Sequence, residues 1–259
     1  MDKQTISRDG TPIAYERSGH GPAVILVSGA MSTGATVAPL AGALSDRCTV
    51  LAYDRRGRGA SGDTAPYEVA REIEDLAALI EAAGGEAALY GVSSGGALAL
   101  RAAASGLPVR QVAVYEVPFA MDDADARARA EYSGSLTAAL ADGRRGDAVE
   151  LFLSLTGLAP QLIQGARRSP MWSEMEAIAP TLAYDDEVMG DGRVPRALLA
   201  SVGCPVLALA GGASAQWMRQ AAQAIAEAVP DGTYRALADQ NHMVEPAVLA
   251  PVLAEFLAG

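Results

Sequence analysis

The sequence predicts an α/β protein: a mostly parallel central sheet with helices on both faces and one inserted helical segment. Three observations lead there. Short continuous apolar runs such as Ala23-Val24-Ile25-Leu26-Val27 alternate with helical stripes, as strands covered on both faces do. A Gly-x-Ser-x-Gly run, Gly91-Val92-Ser93-Ser94-Gly95, stands where a strand gives way to a helix. The interval from Phe119 to Ala200 has no convincing β run, although the alternation holds on either side of it.

The elements follow in order. Gln4 to Arg8 and Pro12 to Arg17 flank Asp9-Gly10, a hairpin signal that gives the sheet an antiparallel edge. Ala23 to Val27 and Thr49-Val50-Leu51-Ala52-Tyr53 read as buried strands, with a helix from Ala35 to Leu44 between them. Over residues 66–83, Val69, Ile73, Leu76, Ile80 and Ala83 form one helical stripe. Pro66 suits its first turn and Gly84-Gly85 stops it. Ala87 to Tyr90 is the next strand and Ala97 to Ala103 a small-residue helix. Gln111 to Tyr115 and Pro205 to Ala210 are further strands. A helix near 215–229, a short strand Thr233 to Leu237 and a last helix Val244 to Leu257 complete the chain.

Residues 119–200 are predicted to be a helical cap, inserted in a core made of residues 1–118 and 201–259. Asp125 to Glu131 and Asp147 to Leu158 are its best helices. Gly134, Gly143, Gly157, Pro160, Pro170, Pro180 and Gly190 break it up. Neither end carries the Ser- or Gly-rich tether of a separate domain.

Composition narrows the function. With 259 residues, half of them hydrophobic, the chain can bury a large core. A net charge of -11 argues against nucleic acid and anionic membranes as partners. Arg55-Arg56-Gly57-Arg58 is the one dense basic cluster and is too short to reverse that. No apolar run approaches the roughly 18 residues of a membrane span. The start, Met1-Asp2-Lys3-Gln4, lacks the apolar core of a secretory leader. Cys48 and Cys204 sit at or beside buried strands and read as reduced thiols, so a cytoplasmic protein is expected. Clustered Cys/His ligands are absent, as is a nucleotide-binding glycine pattern after the first parallel strand. Neither a metal nor an organic cofactor is expected, and nothing in the sequence selects an oligomeric state.

Candidate chemistry centres on Ser93. A serine on a strained strand-to-helix turn projects its oxygen from the sheet, and glycines at 91 and 95 remove the Cβ atoms that would collide there. Such a hydroxyl needs a base. The chain has two histidines. His20, in Ser18-Gly19-His20-Gly21-Pro22, falls at the amino end of a strand, whereas α/β sites assemble at carboxyl ends. His242, in Asp239-Gln240-Asn241-His242-Met243, follows the last strand and is the candidate base.

These motifs, in this order, resemble the α/β-hydrolase-fold superfamily. Leu26-Val27-Ser28-Gly29-Ala30 is similar to its strand-end motif, with Ser28 in place of the usual histidine. Tyr53-Asp54-Arg55-Arg56-Gly57-Arg58-Gly59-Ala60-Ser61 resembles its Asp-x-Arg-Gly-x-Gly-x-Ser loop, a structural feature. The resemblance implies a backbone oxyanion site made by Ser94 and Ala30, with Met31 as a substitute for Ala30.

The acid departs from the family pattern. The usual Asp would fall at Ser214, in Gly211-Gly212-Ala213-Ser214. Glu116, at the end of the strand after the elbow, is the replacement: strands are only about 4.8 Å apart, so a displaced acid can still reach His242. Asp239, Glu245 and Asp122 are the other candidates, and a Ser–His dyad is the remaining arrangement.

The resemblance therefore implies a serine hydrolase that cleaves a hydrophobic carboxylic ester, lactone or thioester through an acyl-enzyme on Ser93. Its partner would be a small hydrophobic ester-like substrate. Trp172, Met171, Met175, Phe152, Leu155 and Leu162 would line an apolar pocket over Ser93 or hold the cap together. The alternatives are acyl transfer, cyclisation or lyase chemistry in secondary metabolism, and a non-catalytic ligand-binding protein.

Overall fold

The structure, a computed structural model, describes residues 3–258. Met1 and Asp2, which open the segment read above as lacking a leader, lie outside the described residues, as does Gly259.

Eight strands form one sheet in the order β1-β2-β4-β3-β5-β6-β7-β8. They are β1 (Lys3–Ile6), β2 (Pro12–Gly19), β3 (Ala23–Val27), β4 (Thr49–Tyr53), β5 (Ala87–Val92), β6 (Val109–Tyr115), β7 (Val206–Gly211) and β8 (Gly232–Leu237). The hairpin β1–β2 is antiparallel and β2 runs antiparallel to β4, whereas every pairing from β4 to β8 is parallel. Helices α1 (Gly34–Leu44), α2 (Val69–Ala83), α3 (Ser94–Ala104), α10 (Gln216–Ala228) and α11 (Pro246–Ala258) make the crossovers and the C-terminal cover.

Strand residues alternate between two cores, as a period of two requires. Ile25, Leu51 and Leu89 face α2, α3 and α10, packed with Leu76, Leu98 and Ile225. Val24, Val50 and Ala88 face α1 and α11, packed with Leu40 and Leu253. All these strand residues are buried, which explains why the runs read as continuously apolar.

Between β6 and β7 lie α4 (Asp123–Ala141), α5 (Arg145–Leu155), α6 (Pro160–Ala166), α7 (Trp172–Ile178), a 3₁₀ turn (Ala179–Thr181), α8 (Leu182–Met189) and α9 (Arg196–Leu199). Tyr132, Leu136, Val149, Trp172 and Leu182 form a third core there. Val188, Met189 and Leu199 instead join the core beneath the sheet, so α8 and α9 pack on the main body. A single parallel bridge, Ala120 to Arg193, links the start of this excursion to its end.

Two local expectations need correction. The helix expected from residue 66 starts at Val69, and Pro66 is exposed ahead of it. The side chain of Tyr67 stacks on Tyr184 with ring centroids 3.8 Å apart, and its hydroxyl donates to Glu72 at 2.7 Å, which holds residue 67 outside the helix. Gly134 does not break the chain but lies inside α4, where Tyr132, Leu136 and Ala139 are buried. Packing of that face outweighs the cost of one helical glycine, about 1 kcal/mol. Gly143, Gly157 and Gly190 have positive φ and sit just past helix ends, as expected.

Candidate active site

Registers Val92↔Tyr115 and Tyr115↔Leu209 align the carboxyl ends of β5, β6 and β7. Ser93 follows β5 with φ 56° and ψ -130°, a conformation that costs a non-glycine residue on the order of 1–3 kcal/mol. The Ser93 N–H donates to Tyr115 O at 3.0 Å, and Ser93 O accepts from Gly96 N at 2.9 Å. A Cβ on Gly91 would strike Gly95 O and Gly96 Cα, and one on Gly95 would strike Val27 O and Ser28 O. These two glycines serve close backbone approach, since neither has positive φ.

Glu116 follows β6, also at positive φ (47°), with its side chain buried. Its Oε1 accepts the Gly211 N–H at 2.7 Å, and its Oε2 lies 2.8 Å from His242 Nδ1. Burial pushes this carboxyl up, but the His242 hydrogen bond, the neighbouring Ser214 hydroxyl and the Gly211 N–H hold it below the ordinary glutamate range. Ser214 Oγ is buried beside the carboxylate, close enough to act on it but without a well-formed hydrogen bond. An ionised carboxylate can only accept, so Nδ1 carries the proton and Nε2 presents its lone pair.

His242 lies in the turn between β8 and α11, with its side chain 44% exposed. Tyr115 Oη donates to Asn241 O at 2.6 Å and pins the residue before it. Gln240 Oε1 accepts the Glu245 N–H at 2.8 Å and closes the turn. Of the other candidate acids, Asp239 and Glu245 are exposed, and Asp122 caps α4 by accepting from Ala124 N and Asp125 N. Ser93 Oγ makes no hydrogen bond to His242 or to any other group among the described residues, a separation common in unliganded sites.

The turn after β3 abuts the serine: a Cβ on Gly29 would lie 3.1 Å from Ser93 Cβ. Met31 adopts φ 56°, and no backbone hydrogen bond leaves Ala30 N–H or Met31 N–H among the described residues. Ser94 opens α3, where the first N–H groups have no intrahelical acceptor and the helix dipole favours negative charge. Among the described residues, non-glycine positive φ occurs at Met31, Ser93, Glu116 and Asp239, all at this edge of the sheet.

Beneath the site runs a buried ionic network that sequence reasoning missed. Arg55, Arg56 and Arg58 are all buried. Arg55 donates to both carboxylate oxygens of Glu72, at 2.7 and 2.6 Å, and to Asp185 Oδ1 at 2.6 Å. Arg58 donates to Asp185 Oδ2 at 2.6 Å and to Gly29 O at 2.7 Å. Ser94 Oγ donates to Asp185 Oδ1 at 2.8 Å. Burial pushes the Glu72 and Asp185 carboxyls up, and the guanidinium charges outweigh it and hold both below the ordinary range. Asp54 accepts from Gly34 N at 2.7 Å and Ala60 N at 2.8 Å, a structural tie. The signal in the sequence was the arginine cluster: three guanidiniums in a tight turn need buried anions.

Of the apolar residues assigned to a cap, Trp172 is buried and Phe152 and Met175 pack against its cluster. Leu155, Leu162 and Met171 are exposed. A cavity of about 550 Å³ opens among α4, α5 and α6, lined by Ser135, Arg144, Asp147 and Glu150 and by none of the site residues. No group of three or more His, Cys, Asp or Glu side chains among the described residues could hold a metal ion. No helix among them is long and apolar enough to cross a membrane.

A mostly parallel sheet with a strained serine at one strand end, and a histidine held by a buried carboxylate at the same edge, has a hydrolase-type architecture. The family model for the alpha/beta hydrolase family matches residues 24–252, and the chain belongs to that family. An alpha/beta hydrolase from Sphaerobacter thermophilus DSM 20745 is 52% identical, covering 98% of this chain and 99% of that one, with a TM-score of 0.87. A hydrolase from Pseudomonas aeruginosa PA01 shares the fold at 23% identity and TM-score 0.77, over 100% of this chain and 98% of the other. A polyketide synthase ThaQ from Burkholderia thailandensis is 39% identical over 89 residues, which is 34% of this chain and only 4% of that protein.

Proposed function

We propose that the protein is a serine hydrolase cleaving a small hydrophobic carboxylic ester, lactone or thioester through an acyl-enzyme on Ser93. The 2.8 Å contact between His242 Nδ1 and Glu116 Oε2, beside a serine on a strained elbow, carries this reading. Nε2 takes the Ser93 proton as Oγ attacks the carbonyl carbon, and Glu116 stabilises the imidazolium that forms. The oxyanion is held by the N–H groups of Ser94 and Ala30. Collapse expels the alcohol or thiol, which leaves with the proton from Nε2. Water, deprotonated by the same nitrogen, then frees the acid and restores Ser93. No metal or organic cofactor enters the cycle.

Residues 119–200 act as a cap in this reading. Ala30 and Met31 pack against the same apolar cluster as Phe152 and Met175, which suits an apolar acyl group. Cys48 and Cys204 are unpaired, in keeping with a cytoplasmic setting, and the net charge of -11 disfavours nucleic acid and anionic membranes as partners. The polyketide synthase match favours a second reading, acyl transfer or cyclisation, in which an alcohol or amine replaces water on the same acyl-enzyme.

A fluorophosphonate probe tests both. Ser93→Ala should abolish labelling and lower turnover of p-nitrophenyl acetate at least ~10³-fold without loss of fold. His242→Ala should match it, and the double variant should be barely worse. Retained turnover in folded Ser93→Ala protein would defeat the serine-hydrolase reading, whereas absence of labelling in the wild type would favour the non-catalytic binder.

A further inference from the structure

Asp185 comes from α8, in the excursion between β6 and β7, yet its bonds converge on the elbow and on the turn after β3. Oδ1 accepts from Ser94 Oγ at 2.8 Å and from Arg55 at 2.6 Å. Oδ2 accepts from Arg58 at 2.6 Å. Arg58 passes this on, donating to Gly29 O at 2.7 Å and Ser32 O at 3.3 Å, while its Nε donates to Thr181 Oγ1 at 3.0 Å.

Gly29 C=O and Ala30 N–H belong to one planar trans peptide, so the N–H points opposite to the carbonyl. A guanidinium fixed on Gly29 O therefore sets the direction of the Ala30 N–H and draws charge from the carbonyl, which strengthens that N–H as a donor. The Met31 N–H belongs to the next peptide, whose carbonyl accepts only the Ser32 hydroxyl at 3.2 Å. The other donor, Ser94 N–H, belongs to the residue whose hydroxyl Asp185 holds.

We infer that Asp185 is a positioning residue: through Arg58 on one oxygen and Ser94 on the other, it fixes the spacing and aim of the Ala30 and Ser94 amides that receive the oxyanion. A purely structural ion pair would need neither the Ser94 bond nor a relay to the Gly29 carbonyl. The inference rests on the Ser93 acyl-enzyme reading and adds a contribution from the inserted helices to it.

The experiment measures the rate constant and the saturation constant of fluorophosphonate labelling at Ser93, with thermal midpoints. Asp185→Asn should slow the maximal labelling rate about 10- to 100-fold, short of the ~10²- to 10³-fold lost with a whole donor, while the saturation constant stays within about twofold. Ser94→Ala keeps the amide and both arginine pairs and should slow it by a few-fold, on the order of one lost hydrogen bond, with the midpoint near wild type. Tyr184→Phe, on the same helix, removes only a bond to Asp63 and should label at the wild-type rate. Wild-type labelling rates in folded Asp185→Asn and Ser94→Ala overturn the inference, as does an equal loss in Tyr184→Phe. If Asp185→Asn does not fold, Ser94→Ala decides alone, and an unchanged maximal rate overturns it. An unlabelled wild-type protein would instead mean that the serine-hydrolase reading has failed.

Discussion

Replacing Glu116 by glutamine changes one atom at the centre of the proposed triad, and the surrounding hydrogen bonds dictate its effect. Gly211 N–H donates to Oε1 at 2.7 Å, so the new side-chain amide must keep its oxygen there. Its NH₂ group then faces His242 Nδ1, 2.8 Å away in the native protein. A donor in that place forces Nδ1 to accept, which moves the ring proton to Nε2 and removes the lone pair that would deprotonate Ser93. Loss of the orienting acid in a comparable triad costs up to ~10⁴-fold, so we expect ~10²- to 10⁴-fold in kcat, or about 2.7–5.4 kcal/mol. KM should change little, because the carboxylate is buried beneath the histidine and touches no substrate. Steady-state turnover of p-nitrophenyl acetate, with thermal melts, measures both quantities. Near-wild-type activity in Glu116→Gln together with a crippling effect of Asp239 or Glu245 substitution would refute the assignment. A fall of several degrees in the melting midpoint with activity retained would show Glu116 to be only an anchor for the chain leaving β6.

Three further outcomes are expected. Ser214→Asp should lower activity, because a second carboxylate beside Glu116 raises the pKa of one of the pair. It should not fully restore a Glu116→Gln background, because a carboxylate at 214 would pull the imidazole from a different strand; full rescue in the double variant would contradict this. Gly95→Ala should destabilise the fold by more than the ~1–3 kcal/mol of ordinary overpacking, since its Cβ meets two rigid carbonyls, and urea melts measure it. The depressed Glu72 and Asp185 carboxyls contribute stability that is complete above the unfolded carboxylate pKa of about 4 and is lost as pH falls through their folded values. The melting midpoint should thus be flat from about pH 8 to about 5 and fall steeply below, with little response to about 1 M salt at neutral pH.

Much of the fold was legible in the chain because the signals were local. The β3, β4 and β7 runs announce themselves by continuous burial, and the elbow by glycines whose Cβ atoms have no room. Glu116 could be singled out because Ser214 stands where a carboxylate was expected, and strand spacing allowed a neighbouring strand to supply it. Asp185 was not legible: in Asp185-Asp186-Glu187 it reads as a solvated acidic face, and its partners Arg55 and Arg58 lie 130 and 127 residues away. The continuation of α4 through Gly134 was hidden for a similar reason, since a third core decides it rather than local propensity. The start of α2 slipped because Tyr67 is held by a stack on a distant helix.

The clasp at the base of the helical excursion bears on how such chains can be recombined. Ala120 N donates to Gly192 O at 2.7 Å, so the polypeptide leaves and rejoins the body at one point, between the adjacent strands β6 and β7. Geometry alone would let a different excursion be spliced in at that clasp without disturbing strand order. Charge would not. Asp185 belongs to the exchangeable part, while Arg55 and Arg58 stay with the body. A chimera lacking an anion at that place would leave Arg58 buried without a carboxylate partner and Arg55 with Glu72 alone, and breaking a buried pair in this way costs about 3–5 kcal/mol. Viable swaps must therefore carry an acidic side chain on the helix that returns over α3, a rule that can be applied when donor segments are chosen.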